Sequence, residues 1–127
     1  MPLQVELVSP ERILYSGEAD MVVARTSEGD IAFLSGHAPF IGALGIGIVS
    51  IRAADGSEER VAVHGGFVEV SGDRVTILSD VAELAGDIDA ARARRALEEA
   101  EASVRQGDDV EAEAALRRAR LRVELAG

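Results

Sequence analysis

The sequence predicts an all-β body, either a sandwich or a barrel, followed by a C-terminal antiparallel two-helix hairpin. Up to residue 78, short runs of alternating apolar and polar residues are interrupted by Gly, Pro, Asp or Ser, as is typical of all-β folds. From residue 88 to 125 the chain has no Pro and one Gly, and it consists mostly of the helix formers Ala, Glu, Arg and Leu. We therefore predict a β domain over residues 1–86 and a helical domain over residues 87–127.

The β part divides into eight runs, each of which predicts a strand. Turn-forming residues separate the runs, with Ser-Pro, Ser-Glu-Gly and Ala-Asp-Gly-Ser as the clearest turns. The predicted strands are residues 3–8, 11–15, 19–26, 30–34, 47–53, 58–63, 67–70 and 74–78.

The stretch from residue 61 to 78 predicts a central hairpin. Its Gly65-Gly66 pair indicates either a tight reversal or a bulge that lets a strand cross from one sheet to another. Val75, Ile77 and Leu78 are apolar at positions that face both sides of a strand. This pattern predicts that residues 74–78 are covered on both faces.

Gly107 divides the helical part into two helices of similar length. Asp108 followed three residues later by Glu111 resembles a capping box at the start of the second helix. Each helix carries an apolar stripe with spacings of four, three and four residues, so we expect the two stripes to face each other. The stripes are Ala93, Leu97, Ala100 and Val104 on the first helix, and Ala112, Leu116, Ala119 and Val123 on the second. Four of these eight residues are Ala, which predicts a lightly held arm that can leave its resting position while it stays helical.

Composition narrows the function classes. A formal charge of −10 and a pI near 4.6 argue against binding to nucleic acid or to an anionic lipid surface. With no Cys, disulfides, thiolate zinc sites and cysteine nucleophiles are excluded. The first residues alternate like a strand and do not have the pattern of a signal peptide, and no run is long enough to cross a bilayer. We expect a soluble protein, or one held to a membrane only through a partner.

His37 and His64 are the two histidines, and neither belongs to a metal-ligand motif. A structural role is the simpler interpretation for both. The serines lack a nucleophile-elbow setting, so we predict no catalytic residue and no metal site. The alternative is a free-standing β-sandwich metal-dependent enzyme, or a small-ligand-binding protein, that uses His37 and His64.

Three arginines of the helical hairpin form a candidate anion site. Arg118 and Arg122 have no acidic residue three or four positions away, and they stand one helical turn apart. In a hairpin that turns at Gly107, Arg92 lies at the level of Arg122, so three guanidinium groups would converge. Such a cluster suits a phosphate-bearing anion. The alternative is that these arginines are solvated, or that they pair with Asp87 or Asp89.

Three segments of the β part have a distinctive sequence. They read Pro-Glu-Arg-Ile-Leu-Tyr-Ser-Gly from residue 10, Glu-Gly-Asp-Ile-Ala-Phe-Leu-Ser-Gly-His-Ala-Pro-Phe from residue 28, and Val-His-Gly-Gly-Phe-Val-Glu-Val from residue 63. These segments resemble the epsilon subunits of bacterial F-type rotary ATP synthases. Together with the helical tail, the resemblance covers essentially the whole chain. It implies an all-β sandwich of about ten strands followed by the two-helix hairpin.

The resemblance also implies a ligand and its residues. The nucleotide motif of the family, Ile-Asp-x-x-Arg-Ala, stands at residues 88–93, and a second element, Arg-Ala-x-x-Arg, stands at residues 118–122. By similarity, the residues that hold ATP are Glu83, Ile88, Asp89, Arg92, Ala93, Arg118 and Arg122. Glu28, Gly29 and His37 are expected to contact partner subunits.

By the same resemblance, the protein is a non-catalytic subunit of the central stalk. The sandwich would couple the c-ring to the gamma subunit, and the helices would inhibit ATP hydrolysis when they extend into the ring of alpha and beta subunits. It would require no cofactor, with ATP as a regulatory ligand. Its expected location is the cytoplasmic face of the bacterial plasma membrane, as a peripheral part of the complex.

Overall fold

A computed structural model of the chain describes residues 2–26, 29–107 and 109–126, in which eight strands precede two α-helices. The strands are β1 (Leu3–Val8), β2 (Ile13–Ala19), β3 (Met21–Thr26), β4 (Gly29–Leu34), β5 (Phe40–Arg52), β6 (Glu58–Ser71), β7 (Arg74–Leu78) and β8 (Ala82–Leu84). A short 3-10 turn at Ala85–Asp87 leads to α1 (Ala90–Gln106) and α2 (Val110–Ala126). We call β1–β8 the body and the two helices the arm. The fold class is confirmed, with eight strands in the described residues where about ten were expected.

The strands form one sheet that encloses a single core. Its order is β2-β1-β7-β6-β5-β3-β4, with β8 added beside β6; β1 and β7 are parallel and every other pair is antiparallel. The long strands β5 and β6 take part in both layers: β6 pairs with β8 over Val61–Val63 and with β7 over Phe67–Ser71. The sheet therefore folds over on itself, and residues of β1 through β7 fill one mostly aliphatic cluster.

Gly66 lies where β6 crosses from one layer to the other. Its φ of 131° lies in a region that L side chains rarely adopt, and a Cβ there would overlap the carbonyl oxygen of Leu78 and lie 2.9 Å from the Cα of Ser79. The predicted crossing at Gly65-Gly66 is confirmed, whereas the tight reversal is wrong. The predicted strands 58–63 and 67–70 are one continuous strand because the backbone bends here without breaking its pairing to β5.

Coverage of the strands differs from the prediction in one place. In β7, Val75 and Ile77 are buried but Leu78 is 54% exposed, so the expectation that residues 74–78 are covered on both faces is wrong. The strand that is covered on both faces is β6, where Val61, Ala62 and Val63 are buried in succession. Val61 and Val63 face the main core, and Ala62 packs against α2.

The arm is an antiparallel helical hairpin whose two predicted stripes face each other. Ala93, Ala100 and Ala119 are buried, and the other stripe residues are half-buried. The Asp89 carboxylate accepts the backbone N–H of Arg92 and caps α1. The predicted cap Asp108 lies outside the described residues; the Asp109 carboxylate accepts the backbone N–H of Ala112 at 2.7 Å.

A second apolar face of α2 docks the arm onto the body. Leu121 and Leu125 are buried against Ala62 of β6, and four half-buried residues complete this cluster. They are Ile46, Ile48, Ala85 and Ile88. Within the described residues, neither helix is long and apolar enough to span a membrane.

Candidate functional site

Six of the seven predicted nucleotide residues converge at a cleft where the arm meets the body. The cleft has a volume of about 320 Å³ and opens between β8, the 3-10 turn and the facing sides of α1 and α2. We call it the joint cleft. It is lined by Glu83, Asp87, Ile88, Asp89, Arg92, Ala93, Ala96 and Arg122.

The two helices each contribute one guanidinium to the joint cleft. Arg92 lies in the first turn of α1, which the Asp89 cap fixes, and Arg122 lies in the last turns of α2. The fifteen residues that separate each arginine from Gly107 place them at the same level in the hairpin, as predicted. The pair therefore exists only while α1 and α2 remain side by side.

Glu83 joins the arm to the body. Its Oε1 accepts a hydrogen bond from Nε of Arg122 at 2.6 Å and is 3.1 Å from Nε2 of His64 on β6. Burial acts to raise the pKa of Glu83, but the hydrogen bonds and charge of Arg122, with a contribution from His64, bring that pKa below its usual value. Glu83 is therefore ionised at neutral pH and holds α2 to β8 by a charge-assisted hydrogen bond.

The other two carboxylates of the joint cleft already have donors. Asp87 accepts from Nη2 of Arg12 at 2.6 Å, and Asp89 accepts from the backbone of Arg92. In the described part of the chain, the Arg92 guanidinium has neither a salt bridge nor a side-chain hydrogen bond. Of the predicted alternative, the pairing of the Arg92 side chain with Asp87 or Asp89 is therefore wrong, whereas its solvated half agrees with the exposed Arg92. The guanidinium donors of Arg92 are available to an anion.

Arg118 does not line the joint cleft. Its Nη2 donates to Oε1 of Glu111 at 2.9 Å, seven residues earlier on α2. The expected convergence of three guanidinium groups is therefore reduced to two at the joint cleft. Seven residues are about two helical turns, so the two side chains share a face. A search for acidic partners only three or four positions away could not find this pair.

Two of the three residues expected to contact partners lie at the two ends of β4. Glu28 lies outside the described residues, and Gly29 begins the strand. His37 follows the strand: its ring packs edge-on against Phe33 at 5.1 Å between centroids, and its Nδ1 is 2.7 Å from the carbonyl oxygen of Ala38. His37 thus anchors the β4–β5 loop from a half-buried position.

The histidines occupy separate environments. His64 bonds to Glu83 at the joint cleft, and His37 packs among aromatic rings. Among the residues that the structure describes, no group of three or more His, Cys, Asp or Glu side chains could hold a metal ion. The alternative of a metal-dependent enzyme that uses both histidines therefore has no support.

Three contributors to the joint cleft were missed by sequence reasoning. Asp87 and Ala96 line it, and His64 lies behind Glu83. Ala96 stands four residues after Arg92, so helical periodicity could have found it. The link from His64 to Glu83 joins β6 to β8, a pairing that no sequence pattern indicated.

A second cleft, of about 380 Å³, lies between the opposite side of α2 and the sheet. Its charged residues include Arg25, Arg117 and Arg120, together with Glu124. Arg25 is bonded to Asp30 at 3.0 Å. Arg120 therefore lies two residues from Arg122 but on another face of α2, which makes it a matched control for experiments on the joint cleft.

Comparisons with known proteins agree on one family. Residues 2–85 match the ATP synthase, Delta/Epsilon chain, beta-sandwich domain, and residues 87–127 match the ATP synthase, Delta/Epsilon chain, long alpha-helix domain. The ATP synthase epsilon chain of Moorella thermoacetica is 46% identical over 129 residues, covering 98% of this chain and 96% of that one. The epsilon chain of Thermobifida fusca is 48% identical over 123 residues, covering 94% and 90%.

A solved structure has the same fold over nearly the whole chain. A chain in the cryo-EM structure of the Euglena gracilis mitochondrial ATP synthase (OSCP/F1/c-ring, rotational state 1) aligns with a TM-score of 0.86 and 25% identity. The alignment covers 98% of this chain and 81% of that one. The family matches, the bacterial relatives and this fold agree with the resemblance drawn from the sequence motifs, and the chain belongs to the family of ATP synthase delta/epsilon chains.

Proposed function

We propose that the chain is a non-catalytic central-stalk subunit of an F-type ATP synthase whose arm regulates ATP hydrolysis, with ATP as the ligand that keeps the arm folded. The body couples the c-ring to the gamma subunit, at the cytoplasmic face of the bacterial membrane. The alpha and beta subunits become partners when the arm extends. One observation carries the regulatory part: Arg92, Arg122 and Glu83 bring both helices and the body to one cleft.

The available guanidinium donors of the joint cleft suit a phosphate-bearing ligand. The chain is strongly acidic, yet the carboxylates here already accept hydrogen bonds from Arg12, Arg122, His64 or backbone. Arg92 is left with unused donors, and the remaining donors of Arg122 are oriented by its Nε bond to Glu83. Two guanidinium groups from different helices can share one polyphosphate, which would hold the hairpin closed.

The buried apolar contact between the arm and the body is small. The fully buried part of the contact consists of Leu121, Leu125 and Ala62. Two leucines contribute roughly 3–6 kcal/mol of gross apolar burial, from which the entropy of ordering the arm must be subtracted. A regulatory element needs two states of similar free energy, and a buried contact of this small size is compatible with that requirement.

The outer face of the sandwich supports the docking role. Phe67 and Leu78 are 61% and 54% exposed and lie opposite each other on β6 and β7, with Ala43 on the other side of Phe67. Ile41, 74% exposed, lies two residues along β5. We call these four residues the apolar outer face. An exposed apolar surface of this kind is typical of a protein interface.

Calorimetric titration of the full chain with ATP tests the ligand. We expect binding by the wild type, and a dissociation constant about tenfold to a hundredfold weaker for Arg92→Gln, since a charged hydrogen bond contributes about 1.5–3 kcal/mol. Arg120→Gln, which lies outside the joint cleft, should bind like the wild type. A wild type that gives neither heat nor a rise in melting temperature at millimolar ATP would remove the ligand role.

A second measurement tests the regulatory role in the assembled complex. ATP hydrolysis is compared with the full chain and with a chain that lacks residues 88–127. We expect faster hydrolysis without the arm. Equal rates would show that the arm does not inhibit, while the stalk role would be retained.

A further inference from the structure

His64 is a buried histidine directly behind the joint cleft. Its side chain is 3% exposed, and its backbone N–H donates to the carbonyl oxygen of Val81 at 3.0 Å. Its Nε2 faces Oε1 of Glu83, the same oxygen that accepts from Arg122. An ionised carboxylate can only accept, so Nε2 of His64 carries the proton of this hydrogen bond. His64 on β6 and Arg122 on α2 therefore both donate to the same carboxylate oxygen of Glu83.

The other ring nitrogen of His64 is unsatisfied. Nδ1 is buried and has no hydrogen-bond partner in the described residues. A second proton on the ring would have to be placed on this atom, as a buried donor without an acceptor. The neutral ring is therefore favoured while the arm is docked, and the Nε2–H tautomer is fixed by Glu83.

The charged groups that face His64 come from two elements. Glu83 on β8 favours the protonated ring, and Arg122 and Arg118 on α2 disfavour it. Burial is the largest effect, and the net result is a pKa of His64 below its usual value. Because both opposing arginines belong to the arm, the proton affinity of His64 depends on whether the arm is docked.

A polyanion in the joint cleft would change this balance. Its negative charge would offset that of Arg122 and of Arg118, and it would compete with Glu83 for the donors of Arg122. Both effects favour protonation of His64. The ring then faces less positive charge from the arginines, and the negative charge of Glu83 is less offset by Arg122. Ligand binding and proton uptake at His64 are thereby linked, and each strengthens the other.

We propose that His64 is a positioning residue that makes the docking of the arm sensitive to pH. The neutral ring holds Glu83 toward Arg122. The protonated ring weakens docking when the joint cleft is empty and strengthens docking when the joint cleft holds a polyanion. The second half of the proposal rests on the proposed function. Acidification would release the arm when no ligand is bound and retain it when a ligand is bound. The docking of the arm would therefore depend more strongly on the ligand at low pH.

The test follows both histidine rings by NMR during a pH titration of the full chain, with and without saturating ATP. His37 serves as the internal reference because it packs among aromatic rings outside the joint cleft. We expect ATP to raise the titration midpoint of His64 by half a pH unit or more, which corresponds to about threefold tighter ATP binding to the protonated chain. The ring signals of His37 should not respond to ATP.

The outcomes separate this proposal from the proposed function. If the backbone signals of α1 respond to ATP but the His64 midpoint does not, the proton link is wrong and the ligand site stands. If no signal responds to ATP, the ligand role fails. The part of the proposal that concerns the chain without ligand is then decided by Arg122→Gln in the free chain. That substitution should raise the His64 midpoint while the matched Arg120→Gln leaves it unchanged; equal midpoints would overturn the proposal.

Discussion

Gly66 shows how much of this fold depends on a single residue without a side chain. It carries β6 from one layer of the sandwich to the other, at a φ of 131° and against the carbonyl of Leu78. The sequence could indicate that Gly65-Gly66 was special, because glycine inside an apolar run often marks a bulge, a bend or a close approach of two backbones. It could not choose between reversal and crossing, since the choice depends on which strands lie beside β6.

Substitution of Gly66 by Ala should destabilise the body strongly. The new Cβ would overlap backbone atoms that cannot rotate away, so we expect a loss of about 3 kcal/mol or more in the free energy of unfolding, well above the roughly 1 kcal/mol of an average substitution. Urea denaturation followed by circular dichroism measures it. Gly107→Ala is the control because a Cβ there meets nothing within 4 Å and the φ of Gly107 is −167°. Similar losses for both variants would contradict the steric argument.

The pKa of His64 makes a prediction for the stability of the chain without ligand. The unfolded ring takes up a proton near its usual pKa of 6.5, and the folded ring does so only at lower pH. Between those two values the unfolded state binds more protons, so the free energy of unfolding falls as the pH drops below 6.5. His64→Gln should flatten the pH dependence in this window. Urea midpoints at pH 7.5 and 5.5 test this. The same change of midpoint with pH in the wild type and in His64→Gln would contradict the prediction.

At the scale of elements, α2 differs most from its sequence-based description. Its stripe against α1 was predicted from periodicity and is confirmed by the burial of Ala119. Its second face, Leu121 and Leu125, was not predicted, since these leucines lie outside the four-three-four spacing and their partner Ala62 belongs to a strand far away in sequence. A helix that packs on two sides shows a weak periodic signal, because apolar residues then occupy more than one stripe.

Leu121→Ala should loosen the arm without disturbing the body. The leucine is 8% exposed at the contact with β6, so its truncation removes about 2 kcal/mol or more from docking. Amide hydrogen exchange should then become roughly thirtyfold faster through α1 and α2 while β1–β7 remain protected. Val110→Ala, at an 81% exposed position of the same helix, should change neither. Unchanged protection of the helices in Leu121→Ala would mean that the arm does not depend on this contact.

For the whole molecule, motifs predicted the family and the order of a β body and a helical arm, because both depend on local patterns. They could not predict how the arm sits on the body. That arrangement depends on the contact of Leu121 and Leu125 with Ala62, and on β8. This three-residue strand has no sequence signal of its own, and it brings Glu83 to His64 and Arg122. The joint cleft is therefore a product of long-range pairing, and the nucleotide motif at residues 88–93 supplies only one wall of it.

The apolar outer face leads to a prediction about assembly. Phe67→Asp places a charge in the middle of an exposed apolar surface, so the free energy of unfolding of the free chain should fall by only about 1 kcal/mol, the span of strand propensities. If this surface docks onto the gamma subunit or the c-ring, a buried unpaired carboxylate would weaken that contact by about 2 kcal/mol or more, a loss of roughly thirtyfold in affinity.

Reconstitution with the remaining subunits, followed by gel filtration, measures the fraction of the variant that is retained in the complex. Val110→Asp, which puts the same charge on an exposed apolar position of the arm, should assemble like wild type under conditions in which the arm is folded. Full incorporation of Phe67→Asp would show that the body meets its partners through another surface, and the two ends of β4 would be the next to test.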